Sequence, residues 1–330
     1  MDLEKQSLRI GAAAILCAIA LRLAAGGGFQ PVVRLFSQPN MASLLIYLET
    51  GRIVRFSDSS GDATFFAPMS ARETEPEEQV PQNRPSFTAA DAADVDIRGE
   101  ELTEDVGALL ERPLSWDLTG EEPTVLIYHT HATESYTPQT GEHYEESSPY
   151  RTLSDDYNMV SIGDRVAELL EAEGVNVIHD RQLHDYPNYN TSYNSSRASV
   201  QSWLAQYPSI KLVLDIHRDA SGDNNNQMIT SARVDGEESA QIMLVLAAGT
   251  ESRPVPRWRD NLALGLKLQT QLERAAPGIT RYVNFRASRF NQDLSPGAIL
   301  VEVGAAGDTH DKAIKAAEVL AEAKELAKKL

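Results

Sequence analysis

Short apolar runs alternate with amphipathic stretches from about residue 122 to the C-terminus. Thr124 to His129, Val175 to His179, Lys211 to Ile216, Gln241 to Ala248, Tyr282 to Phe285 and Ala298 to Val303 have strand length and strand composition. Between them, Tyr157 to Glu173 places Met159, Val160, Ile162, Val166, Leu169 and Leu170 at helical spacing. Tyr193 to Gln206 reads as a helix closed by Pro208, and Arg257 to Ala275 as one ended by Pro277-Gly278. Asp311 to Leu330 reads as a terminal helix. This alternation predicts an α/β domain with a mostly parallel sheet flanked by helices.

The N-terminal part has a different texture. Leu8 to Phe29 is a targeting segment whose apolar heart, Ile10 to Leu21, has the length of a signal-peptide core. With Arg9 and Arg22 snorkelling it extends to a membrane helix. We expect an uncleaved anchor over residues 1–30 with the body outside, the alternative being a signal peptide cut near Ala24-Ala25-Gly26. Residues 31–65 form a short segment around the apolar Met41 to Leu48. Residues 66–120 read as an acidic, Pro-rich linker with a helix near Leu102 to Leu110, and residues 121–330 as the folded body.

A net charge of −18 with no Lys/Arg cluster excludes nucleic acid as a partner. The single cysteine, Cys17, lies in the targeting segment. The body therefore has neither disulfides nor thiolate ligands, and any metal must be held by His and carboxylate.

Three islands carry candidate chemistry. The first strand ends in His129-Thr130-His131-Ala132-Thr133-Glu134, two imidazoles and a carboxylate in one turn. Leu212 to Ile216 leads into His217, and Glu302 stands alone in the apolar Ala298 to Gly304. Ligands of open α/β sheets bind beyond the carboxyl ends of strands, where both His islands are expected. A carboxylate between Val301 and Val303 costs several kcal/mol to bury unless it is paired, metal-bound or shifted in pKa. A buried salt bridge is its structural alternative. The order H-x-x-E, later His, late Glu is that of carboxypeptidase-type zinc peptidases. It makes His131, Glu134 and His217 candidate zinc ligands and Glu302 the catalytic base. Asp215 is placed to orient a ligand His, and Arg218, Arg286 and Arg289 are candidates for substrate carboxylates. His143, His179, His184 and His310 read as surface or capping residues.

These islands together resemble the stage II sporulation protein P family. The resemblance is carried by His129-Thr130-His131-x-x-Glu134-Ser135-Tyr136, by His179-Asp180-x-x-x-His184-Asp185-Tyr186-Pro187 and by Asp215-x-His217-Arg218-Asp219-Ala220. It is also carried by Asn291-Gln292-Asp293-Leu294-Ser295-Pro296-Gly297 running into Glu302. It implies an amidase/carboxypeptidase-like (phosphorylase/hydrolase-like) domain behind a membrane helix. It further implies a zinc-dependent peptidoglycan hydrolase of engulfment that cuts the N-acetylmuramoyl-L-alanine amide and, as an endopeptidase, peptide cross-links. The implied setting is the membrane facing the space between forespore and mother cell, with stage II sporulation proteins D and M as partners. His131, His217 and Glu302 match by position. The third ligand stays open between Glu134, His129 and an Asp near 155, with Glu134 the choice on spacing. Asn291 joins the candidate substrate-binding residues. Two other readings remain: a zinc peptidase acting on proteins or free peptides, and a non-catalytic septal scaffold.

Overall fold

The computed structural model describes residues 87–322, apart from 115–117, 119 and 224–225. The expected anchor, the 31–65 segment, Cys17 and the last residues of the terminal helix lie outside the described residues. Among those described, no helix is long and apolar enough to cross a membrane.

Seven strands form the main sheet: β1 (Ile97–Gly99), β2 (Val125–Tyr128), β3 (Val177–His179), β4 (Leu212–Asp219), β5 (Ile242–Ala247), β6 (Val283–Arg286) and β7 (Ala298–Ala305). Their order is β1-β6-β5-β7-β4-β2-β3. Among these described strands, only the β5–β7 pairing is antiparallel. The expected α/β domain with a mostly parallel sheet is what forms. Its central strands are near-continuous apolar runs because both faces are covered.

Among the described residues, five α-helices flank the sheet: α1 (Val106–Glu111), α2 (Met159–Ala172), α3 (Ser192–Gln206), α4 (Trp258–Ala275) and α5 (His310–Glu322). Asn158 caps α2 by accepting from the Val160 N–H (2.9 Å). Leu109 of α1, Ile162 of α2, Leu262 of α4 and Ala316 of α5 share one core with Ile127, Ile216 and Val301. The opposite face is covered more thinly. There Val200 and Trp203 of α3 meet Leu126, Tyr128 and Val213, while Phe290 packs on Met243, Val245 and Leu300. Side chains alternate along strands, so Asp215, His217 and Glu302 fall on this second face.

Two expectations are revised. The strand that reads as Lys211 to Ile216 continues to Asp219, so His217 lies within the sheet and not in a loop after it. The segment read as a linker is folded from residue 87 onward. β1 pairs with β6, and Leu109, Leu110, Leu114 and Leu118 are buried. The physical reason lies in α4, whose outer side would otherwise be exposed. Lys267 of α4 is buried, donates to the Leu110 carbonyl, and sets its ammonium 4.3 Å from the centre of the Phe87 ring.

A fragment starting at Glu122 should therefore be less stable than one starting at Glu78. Four buried leucines at roughly 2 kcal/mol each amount to most of a domain's net stability. Urea unfolding should show a cooperative transition for the longer fragment and a much lower midpoint, or aggregation, for the shorter one. Equal midpoints would mean that the segment contributes nothing to the body.

Candidate metal and catalytic site

The turn after β2 is closed by the Glu134 N–H donating to the His131 carbonyl (3.1 Å). Glu134 then forms a backbone bridge with Arg151, and the Ser135 N–H donates to the Tyr150 carbonyl (3.0 Å). The turn is thereby fixed against the Tyr150-Arg151 segment. His131 and His217 approach with ring centroids 5.0 Å apart. Among the described residues, His131, Glu134 and His217 are the group whose ligand atoms all lie within 4.8 Å of one another. Each imidazole Nδ1 faces a different oxygen of Glu134: His131 at 3.4 Å from Oε1 and His217 at 3.5 Å from Oε2.

Glu134 is buried, which by itself would raise its pKa. The Arg218 charge and the two imidazoles outweigh burial and hold the carboxyl well below its ordinary range. Arg151 adds a contact at 3.2 Å to Oε1, and the Arg218 backbone N–H donates to Oε2 (3.3 Å). Burial would lower the pKa of His217, but Asp215 and Glu134 hold it well above the ordinary value. Asp215 accepts from the Thr130 N–H (2.8 Å) and the Thr130 hydroxyl (2.6 Å). Its Oδ1 also lies 2.8 Å from His217 Nε2, off the axis of a good hydrogen bond. Asp215 thus ties the β2 turn to the His217 ring.

Glu302 is the register partner of His217 on the adjacent parallel strand. Its side chain keeps partial access to solvent, but Oε2 is shut off and has no hydrogen-bond partner. Burial, against the opposing pull of His217 and with Glu134 adding to it, pushes the carboxyl up to about 8. The strand bulges just beyond, between Glu302 and Ala305. There Gly304 adopts φ +69°, and a Cβ would come within 2.9 Å of Ala240 and 3.0 Å of Asp308.

Two imidazoles and an ionised carboxylate converging on one point are the N/O donor set of a zinc ion. Glu302 Oε2, buried beside the cluster with no hydrogen-bond partner, supports the fit, because a buried polar atom without a partner is expected at a ligand site.

Other expected site residues fall elsewhere. His129 is fully buried and faces away, donating through Nδ1 to the Ile216 carbonyl (2.8 Å) with Nε2 2.8 Å from His179 Nε2. Burial, then His179, pushes it down to about 3, so it is a neutral strut and not a ligand. Gly163 of α2 makes the room, since a Cβ there would meet both rings within 2.6 Å. Asp155 pairs with Arg181 (3.1 Å) and does not join the cluster, nor does Asp156. Arg218 is buried; it donates to the Ser135 and Tyr150 carbonyls (3.0 Å each) and neutralises Glu134, so it supports the site and does not read substrate. Arg286 is exposed beside Ala247, two strands from β7, and is not brought to the cluster. Asn291 is buried and its amide donates to the Tyr193 carbonyl (3.3 Å) and Ser196 (3.1 Å), which makes it a tie to α3. Arg289 lines a cleft taken up below. His179 and His184 are largely enclosed, not surface residues: His179 joins His129, and His184 bonds Ser195 (2.9 Å).

Several residues at the site are not marked by the sequence reading. Arg151 bridges Glu134 and Asp185 (2.6 Å) and lies over the Tyr189 ring at 4.7 Å. Tyr189 stacks on His131 at 4.7 Å, and Tyr193 meets the same ring edge-on at 5.6 Å. The His184-Asp185-Tyr186-Pro187 island pointed to this loop but not to what it supports.

The family model for stage II sporulation protein P matches residues 54–324. The stage II sporulation protein P of Bacillus subtilis (strain 168) is 28% identical over 215 residues, 62% of this chain and 51% of that protein. The chain thus spans about half the length of that curated relative. Among solved structures, the N-acetylmuramoyl-L-alanine amidase AmiC2 of Nostoc punctiforme aligns at 14% identity and TM-score 0.37, covering 63% of this chain and 98% of its own. The amidase Ami1 of Mycobacterium smegmatis aligns at 15% identity and TM-score 0.38, covering 64% and 99%. The CwlD amidase of Clostridioides difficile, solved with the GerS lipoprotein, aligns at 14% identity and TM-score 0.37, covering 62% and 95%. On the family match, which extends over most of the chain, this protein belongs to the stage II sporulation protein P family.

Proposed function

We propose that this chain is a zinc-dependent peptidoglycan hydrolase that cuts the amide between N-acetylmuramic acid and L-alanine during sporulation. The observation that carries the reading is the His131, Glu134 and His217 cluster set against Glu302, a carboxyl whose buried Oε2 has no hydrogen-bond partner and whose pKa is raised. His131, Glu134 and His217 would hold the metal. Zinc bound there supplies Lewis acidity, polarising the scissile carbonyl and making water a nucleophile at neutral pH.

The protein's own groups do the rest. Glu302 accepts the proton of the attacking water as the new C–O bond forms. It then delivers that proton to the leaving nitrogen as the C–N bond breaks. Arg151 and Arg218 keep Glu134 ionised, and Asp215 fixes the His217 ring. Peptide cross-links are amides open to the same chemistry, so endopeptidase cleavage belongs to the same proposal. We place the enzyme on a membrane through residues 1–30, facing the space between forespore and mother cell, with stage II sporulation proteins D and M as partners. Fractionation should find the full chain with membranes and open to external protease. A new N-terminus near Gly26 would replace the anchor with a cleaved signal.

The ligands are tested by elemental analysis of protein purified without added metal. Wild type should carry about one zinc per chain, and His131→Ala or His217→Ala should lose it. Both should fail to release muropeptides from purified sacculi, as wild type should after chelation. Metal content unchanged in both variants would remove these ligands. Release of free peptides from proteins, with sacculi untouched, would move the substrate to a general peptidase.

Glu302→Gln should keep zinc but lose turnover by roughly 100-fold or more. It also has a stability signature in metal-free protein. The Glu302 carboxyl is raised from 4.5 to about 8. Folding therefore takes up a proton, and wild-type stability falls as pH rises through that window. The glutamine variant has no proton to lose. In chelator its advantage over wild type should grow from pH 4.5 to pH 8, reaching about 1 kcal/mol or more. Denaturant titrations at several pH values measure this, and a constant difference would show that Glu302 is not a desolvated acid.

A further inference from the structure

A cleft of about 410 Å³ lies on the thinly covered face, lined by Tyr193, Arg197, Arg253, Arg289, Phe290 and Asn291 among others. Tyr193 is shared between this cleft and the metal cluster, since its ring meets His131 edge-on. The cleft's charge is unusual for the molecule. The chain carries −18, yet the cleft lining holds three arginines and no acid.

Those guanidiniums are incompletely neutralised. Asp293, just outside the lining, accepts two bonds from Arg197 (2.8 and 2.7 Å) and a longer contact from Arg289 (3.3 Å). Arg253 is exposed and makes no ion pair among the described residues. One carboxylate thus serves two of the three arginines.

The wall that presents Arg289 is held under strain. Phe290 and Asn291 both take positive φ, 48° and 57°. For a phenylalanine that conformation costs on the order of 1 kcal/mol and persists only when its surroundings over-determine it. They do so here. The Gln292 side chain accepts from the Ala247 N–H (2.9 Å) and donates to the Val245 carbonyl (2.8 Å), bonding the C-terminal end of β5. Asn261 donates to the Gln292 carbonyl (2.9 Å). Phe290 is turned down onto Met243, Val245 and Leu300. This turn is a fixed platform and not a mobile loop tip.

We propose that the cleft is a carboxylate-reading subsite, in which Arg253 and Arg289 grip a free carboxylate on the peptide side of the scissile amide. A guanidinium fork matches a carboxylate in shape and charge. The cleft begins across one tyrosine ring from His131, on the order of 10 Å, the reach of about three extended residues. The group recognised is therefore an acidic residue within the first few positions of the peptide stem. This deepens the proposed function and rests on it for the identity of the peptide.

The test separates binding from hydrolysis. The full chain carrying Glu302→Gln, with zinc present, is titrated with two muramyl peptides. They differ only in whether the second stem residue bears a free carboxylate or its carboxamide. The acid should bind at least 10-fold more tightly. Arg253→Ala, an exposed and unpaired position that the fold does not need, should bring the ratio of the two affinities close to one. Arg289→Ala should do the same, and Arg253→Lys should restore only part of the preference. Equal affinities in the parent chain, or a preference unmoved by Arg253→Ala and Arg289→Ala, would overturn the subsite. Turnover of the wild-type enzyme is read separately. Its absence would count against the amidase reading while the binding ratio still decides the subsite.

Discussion

A buried negative charge at Glu134 is the constraint on which the site depends. An isolated carboxylate in that position would take up a proton and cease to be a ligand. It stays ionised because two arginines are delivered to it from different parts of the chain: Arg218 from the end of β4 and Arg151 from the short hairpin that follows the turn. Both are themselves anchored, Arg218 on the carbonyls of Ser135 and Tyr150, and Arg151 on Asp185. Asp185 in turn accepts from the Thr133 hydroxyl (2.6 Å), inside the turn that carries His131 and Glu134. The turn, the hairpin and β4 are therefore one electrostatic unit. The removal of either arginine would act on the ligand's charge and on the turn's shape together.

The sheet supplies what the turn cannot. His217 and Glu302 meet because β4 and β7 are parallel neighbours in one register, and a slip of one residue would send Glu302 into the opposite core. That register is not free to slip, since Ile216 and Val301 are buried on the well-packed face. The helices accordingly do two jobs of unequal size. α1, α2, α4 and α5 form the thick side that fixes register. α3 and the Phe290 turn form the thin side, which leaves chemistry accessible.

Much of this was legible in the sequence, for identifiable reasons. Long apolar strands and amphipathic helices announce themselves by period, so the order of elements and the sheet type could be read directly. His131, Glu134, His217 and Glu302 were conspicuous because each is a polar residue in an apolar or tightly turned setting. What could not be read depends on partners remote in sequence. β1 and the packing of α1 are hidden because both elements are short and set in an acidic stretch that reads as linker; a helix near Leu102 to Leu110 is legible, but only the outer side of α4 explains why it packs. Arg218 looks like a substrate binder until its donors are seen directed at Ser135 and Tyr150. His129, two residues before His131, would share its face if the strand ran on; the chain turns after Tyr128, so His129 stays with Ile127 on the α2 side while the turn carries His131 to the site. No local pattern distinguishes a ligand from its strut.

Glu134 and Glu302 show how one residue type takes two roles within a single site. They share a cluster and differ in neighbours. Glu134 has two guanidiniums and two imidazoles against it and is held ionised, as a ligand must be. Glu302 has apolar strand neighbours, an orphaned oxygen and the Glu134 charge nearby, and is pushed toward the protonated form. Pairs of acids whose surroundings drive their pKa values apart are how a site separates a fixed charge from a group that exchanges protons. A cation held by Glu134 and the two histidines would lower the Glu302 pKa by charge alone, since an opposite charge favours the ionised carboxylate. In the proposed mechanism the metal and the base would be coupled: loading the ligands would also make Glu302 able to accept a proton at neutral pH. Under the proposed function such coupling would leave the metal-free protein with an inert base, and hydrolytic competence would follow the filling of the ligand cluster.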